Sequence, residues 1–226
     1  AVENAGLEIP VVGSAITDFA ASGLVKDNDA PGGNVTGTSD MNPVVDQIDL
    51  LHQLAPEAKK VGLLYCTAES NSKIQIELAA AELKKLGIEG VEYTASSSNE
   101  VQQVVESMMG KVDAIYTPTD NTIASAMTVI ASIANEHKVP TVCGEVAHVE
   151  AGGLASLSIN YEELGRRAGE MAVRILTEGA EPAAMPIESM GAAECDLVYN
   201  GRTAEALGID VTSLVEDGAT DVSAAE

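Results

Sequence analysis

From Lys59 onward, short and almost wholly apolar runs alternate with longer stretches whose apolar residues recur at helical spacing. Residues 61–65 (VGLLY) form a buried-strand run. The pattern that follows predicts a helix over 72–86, with Ile74, Leu78, Ala81 and Leu83 to one side and Gly87 as its stop. The same reading gives strands over 91–95, 112–116, 139–143 and 154–159, and helices over 99–109, 122–137, 146–151 and 161–178. Strands that lack polar alternation must be covered on both faces, and helices at short intervals supply that cover. The fold class is therefore α/β with a doubly wound parallel sheet.

Upstream, the pattern predicts a strand over 11–16, a short helix over 19–24, a strand over 34–38 after the turn Pro31-Gly32-Gly33, and a helix over 43–54. Two strands cannot form a covered sheet by themselves. Residues 1–58 are accordingly expected to be the remainder of a first lobe with a crossover, and 59–180 a second lobe. Residues 181–209 are read as a return crossover with a C-terminal helix. Residues 210–226 (DVTSLVEDGATDVSAAE) are acidic, small and aperiodic, which predicts a disordered tail. The first lobe is expected to be incomplete at its beginning, and an open strand edge at 11–16 predicts a homodimer or a domain swap.

Charge narrows the partners. Twelve Lys and Arg against 35 Asp and Glu give a formal charge of −23, a field that repels phosphate and anionic lipid. No apolar run approaches the about 18 residues of a membrane span, and residues 1–20 carry no basic leader, so an export signal is not expected within this chain. Cys66, Cys143 and Cys195 are far apart and odd in number, and neither a disulfide framework nor a metal site is indicated. His52, His137 and His148 show no triad spacing, and no phosphate-cradling glycine motif opens a helix, so no cofactor is expected.

Ligands of open parallel sheets bind beyond the carboxyl ends of the strands. There the chain places Ser14, Thr17 and Asp18, then Cys66 to Ser72 (CTAESNS), Thr119-Asp120-Asn121, Glu145 and Asn160. Any one of these is also a fitting helix cap. The runs 69–72 and 119–121 nevertheless hold more hydrogen-bonding groups than one cap uses. Thr119 and Asn121, with helix N–H groups behind them, suit a ligand carboxylate, while Asp18, Asp120 or Glu145 suit its ammonium group. Tyr65 and Phe19 are the aromatic residues placed to stack on a ligand ring.

In order along the chain, PVVGSAITDFAASGLV, PGGNVTGTSD, VGLLYCTAESNS, DAIYTPTDNTIASA, GGLASLSINYEELGRRAGEMAVRIL and NGRTAEALGI resemble the substrate-binding proteins of ABC importers for tryptophan, tyrosine or phenylalanine. The resemblance covers nearly all of residues 9–209. It implies a type I periplasmic-binding-protein fold of two lobes that close on a ligand, an extracytoplasmic location in the periplasm or as a cell-surface lipoprotein, and an ABC permease as partner. Carried over residue by residue, it assigns Ser14, Thr17, Asp18, Tyr65, Asn71, Ser72, Thr119, Asp120, Asn121, Glu145 and Asn160 to the ligand. Phe19 stands where the family has proline, and Asn160 where it more often has an acidic residue.

Two other readings carry different signatures. A cofactor-independent racemase needs two cysteines of lowered pKa facing one carbon, and Cys66 and Cys143 both follow strands. The ligand-sensing domain of a transcription regulator shares the fold but needs a basic DNA-binding headpiece, for which this chain has no sequence.

Overall fold

The computed structural model describes residues 9–223. These residues divide into two compact units: unit 1 runs up to Met41 and resumes over Ile159–Glu194, and unit 2 holds Asn42–Ser158 and continues from Cys195. The division differs from the expected limits at 58/59 and 180/181. The helix of 44–54 packs into unit 2, and the helix of 161–178 goes to unit 1.

Unit 1 contains a parallel sheet of β1 (Val11–Ser14), β2 (Val35–Ser39) and β8 (Glu188–Ser189), in the order β1-β2-β8. β8 has only two residues, Glu and Ser, and leaves no apolar signature. The long helix α6 (Tyr161–Glu178) packs on β1 and β2 with its buried residues Leu164, Ala168 and Met171. An amphipathic helix must bury its stripe somewhere, and this sheet face takes it. β1 and β2 run close together at Gly37, where an added Cβ would lie 2.1 Å from the Gly13 carbonyl oxygen. Only glycine fits there. The helix expected over 19–24 is instead a tight turn: Ser22 N–H donates to the Asp18 carbonyl, and Gly23 reverses the chain at φ 70°.

Unit 2 is a seven-stranded sheet of β3 (Lys60–Cys66), β4 (Glu89–Ala95), β5 (Ala114–Thr117), β6 (Thr141–Cys143), β7 (Ala155–Ser158), β9 (Asp196–Tyr199) and β10 (Thr220–Asp221), in the order β10-β9-β7-β6-β5-β3-β4. Every pairing is parallel except β7 with β9. The helices are α1 (Val44–Leu54), α2 (Ser70–Lys85), α3 (Ser98–Met108), α4 (Asn121–Glu136), α5 (Val146–Glu150), α7 (Gly201–Leu207) and α8 (Thr212–Glu216). Successive strand residues point to opposite faces. Leu63 therefore joins a core with Leu51, Leu83 and Tyr116, while Leu64 joins a second core with Val105, Ile115 and Met127. Both faces of β3 are dry, which is why its sequence is continuously apolar.

The expected disordered tail is ordered as far as it is described. α8 inserts Leu214, 1% exposed, into the core that holds Leu50 and Leu51, and β10 pairs with β9 through Thr220 and Val198. One buried leucine per turn is too sparse to show as a period, yet it anchors the segment. Residues 224–226 of that tail, and the first eight residues of the expected leader-free start, lie outside the described residues. Among the described residues, no helix is long and apolar enough to cross a membrane.

Leu214→Ala is expected to destabilise the chain by about 2–5 kcal/mol, read as a lowered urea midpoint. A midpoint equal to wild type would mean that the segment contributes nothing to the fold.

Candidate functional site

At the carboxyl edge of the unit 2 sheet, the loops after β3 and β5 meet around one buried carboxylate. Asp120, 0% exposed, accepts from the Cys66 backbone N–H (2.8 Å), from Ser72 Oγ (2.7 Å) and from the Ile123 N–H (2.9 Å). It thus caps α4 and ties that helix to the end of β3 and the start of α2. Burial, with a smaller push from neighbouring Glu69, raises its pKa against the effect of these donors.

Glu69 completes the joint from the other side. Its Oε2 accepts from the N–H and the Nδ2 of Asn121, and its Oε1 from the N–H and hydroxyl of Thr122, all at 2.8–3.1 Å. Burial works to raise the Glu69 pKa, but the four donors together outweigh it and leave the carboxyl below its ordinary value. A carboxylate at a helix N-terminus is stabilised by the helix dipole and by otherwise orphaned N–H groups. Here the chain supplies that carboxylate itself.

Thr119 is held through its backbone. Gln75, fully buried, accepts from the Thr119 N–H (3.0 Å) and donates to its carbonyl (3.2 Å), while Asn71 Nδ2 donates to the same carbonyl (3.0 Å). Thr119 Oγ1 accepts from Asn42 (3.0 Å). Next to this loop runs Gly144, where an added Cβ would lie 2.4 Å from the Pro118 carbonyl carbon and the Thr119 nitrogen. The glycine allows the 143–146 loop to press against the 117–120 loop. Gln47 on α1 braces it from below, donating to the carbonyls of Gly144 (3.1 Å) and Leu157 (2.8 Å) and accepting from the Tyr116 hydroxyl (2.7 Å). Beyond Gly144, Glu145 and the fully buried His148 stand 3.0 Å apart.

Several expected contacts are redirected by this geometry. Asp120 and Ser72 are buried and spend their polar atoms on each other and on backbone, so Asp120 does not present an oxygen to a ligand ammonium. The N–H groups of Asn121, Thr122 and Ile123 are already bonded to Glu69 and Asp120, which removes them as a ready carboxylate cradle. Tyr65 lies in the core with its hydroxyl 2.7 Å from Glu92, a hydrogen bond that, with burial, pushes its pKa up to about 12. Phe19 is 0% exposed. Neither ring offers a face for stacking, because each fills space under its own sheet. Thr119, Asn71, Asn121 and Glu145 remain at the edge.

In unit 1, Ser14 is exposed just past β1, and Ala15 takes a left-handed turn at φ 56°. Thr17 is buried, and its carbonyl accepts from Ser39 Oγ (2.7 Å). Asp18 Oδ1 accepts from the Ala21 N–H and from Asn28 Nδ2, both at 3.0 Å. Burial raises the Asp18 pKa less than these donors lower it, so it lies below the usual value. Asn160 caps α6, its Oδ1 accepting from the Glu163 N–H (3.1 Å).

The cysteines do not resemble a proton-exchanging pair. Cys66 and Cys143 are both buried, and burial pushes the Cys143 thiol up to about 12, away from the lowered value such chemistry needs. Gln75, Gln47 and Asn42 have no place in the sequence reading, while Glu69 enters it only as part of the run 69–72 and His148 only as one of three histidines without triad spacing. Gln47 and Gln75 did carry a signal, since each is a polar residue on the apolar face of its helix, among Val44, Ile48 and Leu51 or beside Ile76 and Ala79.

Residues 1–223 match the profile of the family described as ABC transporter substrate binding protein. The chain is 41% identical over 213 residues to a tyrosine-binding protein of Clostridioides difficile (strain R20291); the match covers 94% of this chain, which spans only 61% of that relative's length. Among solved structures, an ABC domain in complex with L-Trp from Streptococcus pneumonia superimposes with TM-score 0.86 at 40% identity, covering 93% of this chain and 71% of that one. A ligand-free, open substrate-binding protein with adhesive properties from Clostridium difficile gives TM-score 0.75 at 42% identity, covering 92% and 70%.

Glu69→Gln should lower stability at pH 7 by about 1 kcal/mol, the usual worth of a helix cap. The folded pKa lies below the ordinary 4.5, so this contribution is complete above 4.5 and is lost as pH falls through the lower, folded value. Urea denaturation across that range should show the gap between variant and wild type closing in acid; a gap that stays constant contradicts the assignment.

Proposed function

The chain belongs to the ABC transporter substrate-binding protein family, and from that premise we propose that it captures a free amino acid, aromatic in the first instance, for delivery to an ABC permease. The proposal places the work outside the cytoplasm and involves no chemical change to the ligand. The observation that carries it is the pinned loop edge of unit 2. Asp120, Glu69 and Gln75 consume their polar atoms in fixing the 117–122 loop, and at its edge stand a hydroxyl (Thr119, which accepts from Asn42), two amides (Asn71 and Asn121, each giving one N–H to the joint) and a carboxylate (Glu145). Such groups, held rigid, suit a zwitterion rather than a sugar phosphate or a nucleotide. The tyrosine-binding relative and the L-Trp complex support an aromatic amino acid as the first choice.

In this reading Glu145 accepts from the ligand ammonium. Thr119, Asn71 and Asn121 supply neutral hydrogen bonds, and Ser14, Thr17, Asp18 and Asn160 in unit 1 are carried as ligand contacts by the family resemblance. Each charge-assisted hydrogen bond contributes about 1.5–3 kcal/mol, so a few of them bring an amino acid to micromolar affinity after ordering costs. A homodimer through β1, an edge strand of its sheet, belongs to the same proposal, and light scattering decides it.

Calorimetric titration with tryptophan, tyrosine, phenylalanine and leucine is expected to give micromolar or tighter binding for at least one aromatic amino acid. Glu145→Ala is expected to weaken it about tenfold, the loss of one charge-assisted bond. No binding of any of the four by the wild-type chain overturns the reading.

A further inference from the structure

Away from the loop edge, α1, α8 and the antiparallel pair β7 and β9 line a cavity of about 230 Å³ that lies wholly within unit 2. Its floor is apolar. Leu157 and Leu197 stand directly opposite each other across the two strands and are half-buried, while Leu50 and Leu214 rise from the core beneath α1 and α8. None of the residues assigned to the amino-acid ligand lines this cavity.

Three exposed carboxylates stand around that floor: Asp46 and Asp49, one turn apart on α1, and Asp217, just past the end of α8. Among the described residues, none of the three meets a lysine or an arginine. Asp46 lies in the first turn of α1, where a helix N-terminus favours a carboxylate. Asp49 gains nothing of the kind and faces a like charge one turn away, and Asp217 follows carbonyl groups that disfavour a negative charge. In a chain of formal charge −23 an unpaired acid is ordinary. Three of them around four leucines are not, since this local cost is relieved only by a cation from outside that also covers apolar surface.

Size and donor count narrow that cation. Pockets that enclose a whole small molecule run to about 300–1,000 Å³, so 230 Å³ suits a single long side chain better. A guanidinium carries five N–H donors in a rigid fork, is weakly hydrated, and has an apolar stem that lies well on leucines. An ammonium is a compact, strongly hydrated point charge and matches three spread carboxylates less well. A second copy of this chain brings the same negative field and is repelled. Val45, 41% exposed, stands one turn before Asp49 beside the rim and offers an apolar shoulder for the residues that flank the cation.

We propose that the cavity between α1, α8 and the β7–β9 pair is a docking site for a partner protein that inserts an arginine side chain flanked by apolar residues. The site is independent of the amino-acid reading and stands or falls without it.

The test follows leucine methyl shifts of the full chain by ¹H–¹³C NMR while acetyl-Leu-Arg-Leu-amide is added at low ionic strength. Shifts are expected to centre on Leu157 and Leu197, with affinity of about millimolar order. The same peptide with citrulline, which keeps the shape of arginine and loses its charge, is expected to bind about fivefold more weakly, and so is the arginine peptide to the Asp49→Asn, Asp217→Asn double variant. Glu136→Gln with Glu178→Gln makes the same change in net charge at exposed positions outside the cavity and is expected to leave the affinity within about twofold. Equal losses in the two double variants, equal binding of the citrulline peptide, or no shift at Leu157 and Leu197 overturn the proposal. Agmatine, a guanidinium without a peptide, is expected to bind more weakly than the arginine peptide; binding as tight or tighter overturns the protein partner in favour of a free small cation.

Discussion

A carboxylate held away from water must be met by fixed donors, and at Asp120 those donors come from three separate places: the end of β3, the first turn of α2 and the first turn of α4. No one of these segments could be moved without leaving a buried acceptor unmet, at a cost of about 1–3 kcal/mol or more for a charged group. The carboxyl edge of unit 2 is therefore one rigid piece rather than three loops. Glu69 extends the piece by capping α4 from the loop that precedes α2, and Gln75 extends it by clasping both backbone groups of Thr119.

That rigidity has a functional consequence. A loop edge that spends its strongest polar groups on itself offers a ligand fewer but better-placed partners, and little conformational entropy is lost when they engage. It also explains why the richest polar stretches are not simply ligand contacts. In CTAESNS and TPTDN, the acids, Ser72 and the amide nitrogens of Asn71 and Asn121 serve the joint, and the Thr119 hydroxyl stands at its edge, accepting from Asn42. The family match supplies the class of protein; the geometry supplies the division of labour among the residues.

Much of the architecture was legible because β3 is continuously apolar from Val61 to Cys66 and β5 nearly so, and because helices such as α3 and α6 are strongly periodic. The helix over 161–178 was recognised to the residue, yet its location was not, because a hydrophobic stripe states that a face is buried without stating against what. α6 covers β1 and β2, far away in sequence. The segment after residue 210 carries no readable pattern for a related reason: α8 has one buried residue, Leu214, and β10 two backbone pairings, neither of which leaves a period. Phe19 and Tyr65 were misjudged because an aromatic residue near a strand end looks the same in sequence whether it faces a ligand or the core.

The sequence by itself determined the α/β class, the strand and helix order of unit 2, the family, and the strand ends at which polar groups gather. These follow from local spacing and from the ordered set of motifs, and both are written along the chain. Only the tertiary structure decided which of those polar groups satisfy one another. Whether Glu69 meets the N-terminus of α4, or His148 meets Thr117, depends on partners brought together by strand order in space, and hydrogen bonding is settled by distance and direction between atoms, on which position along the chain is silent.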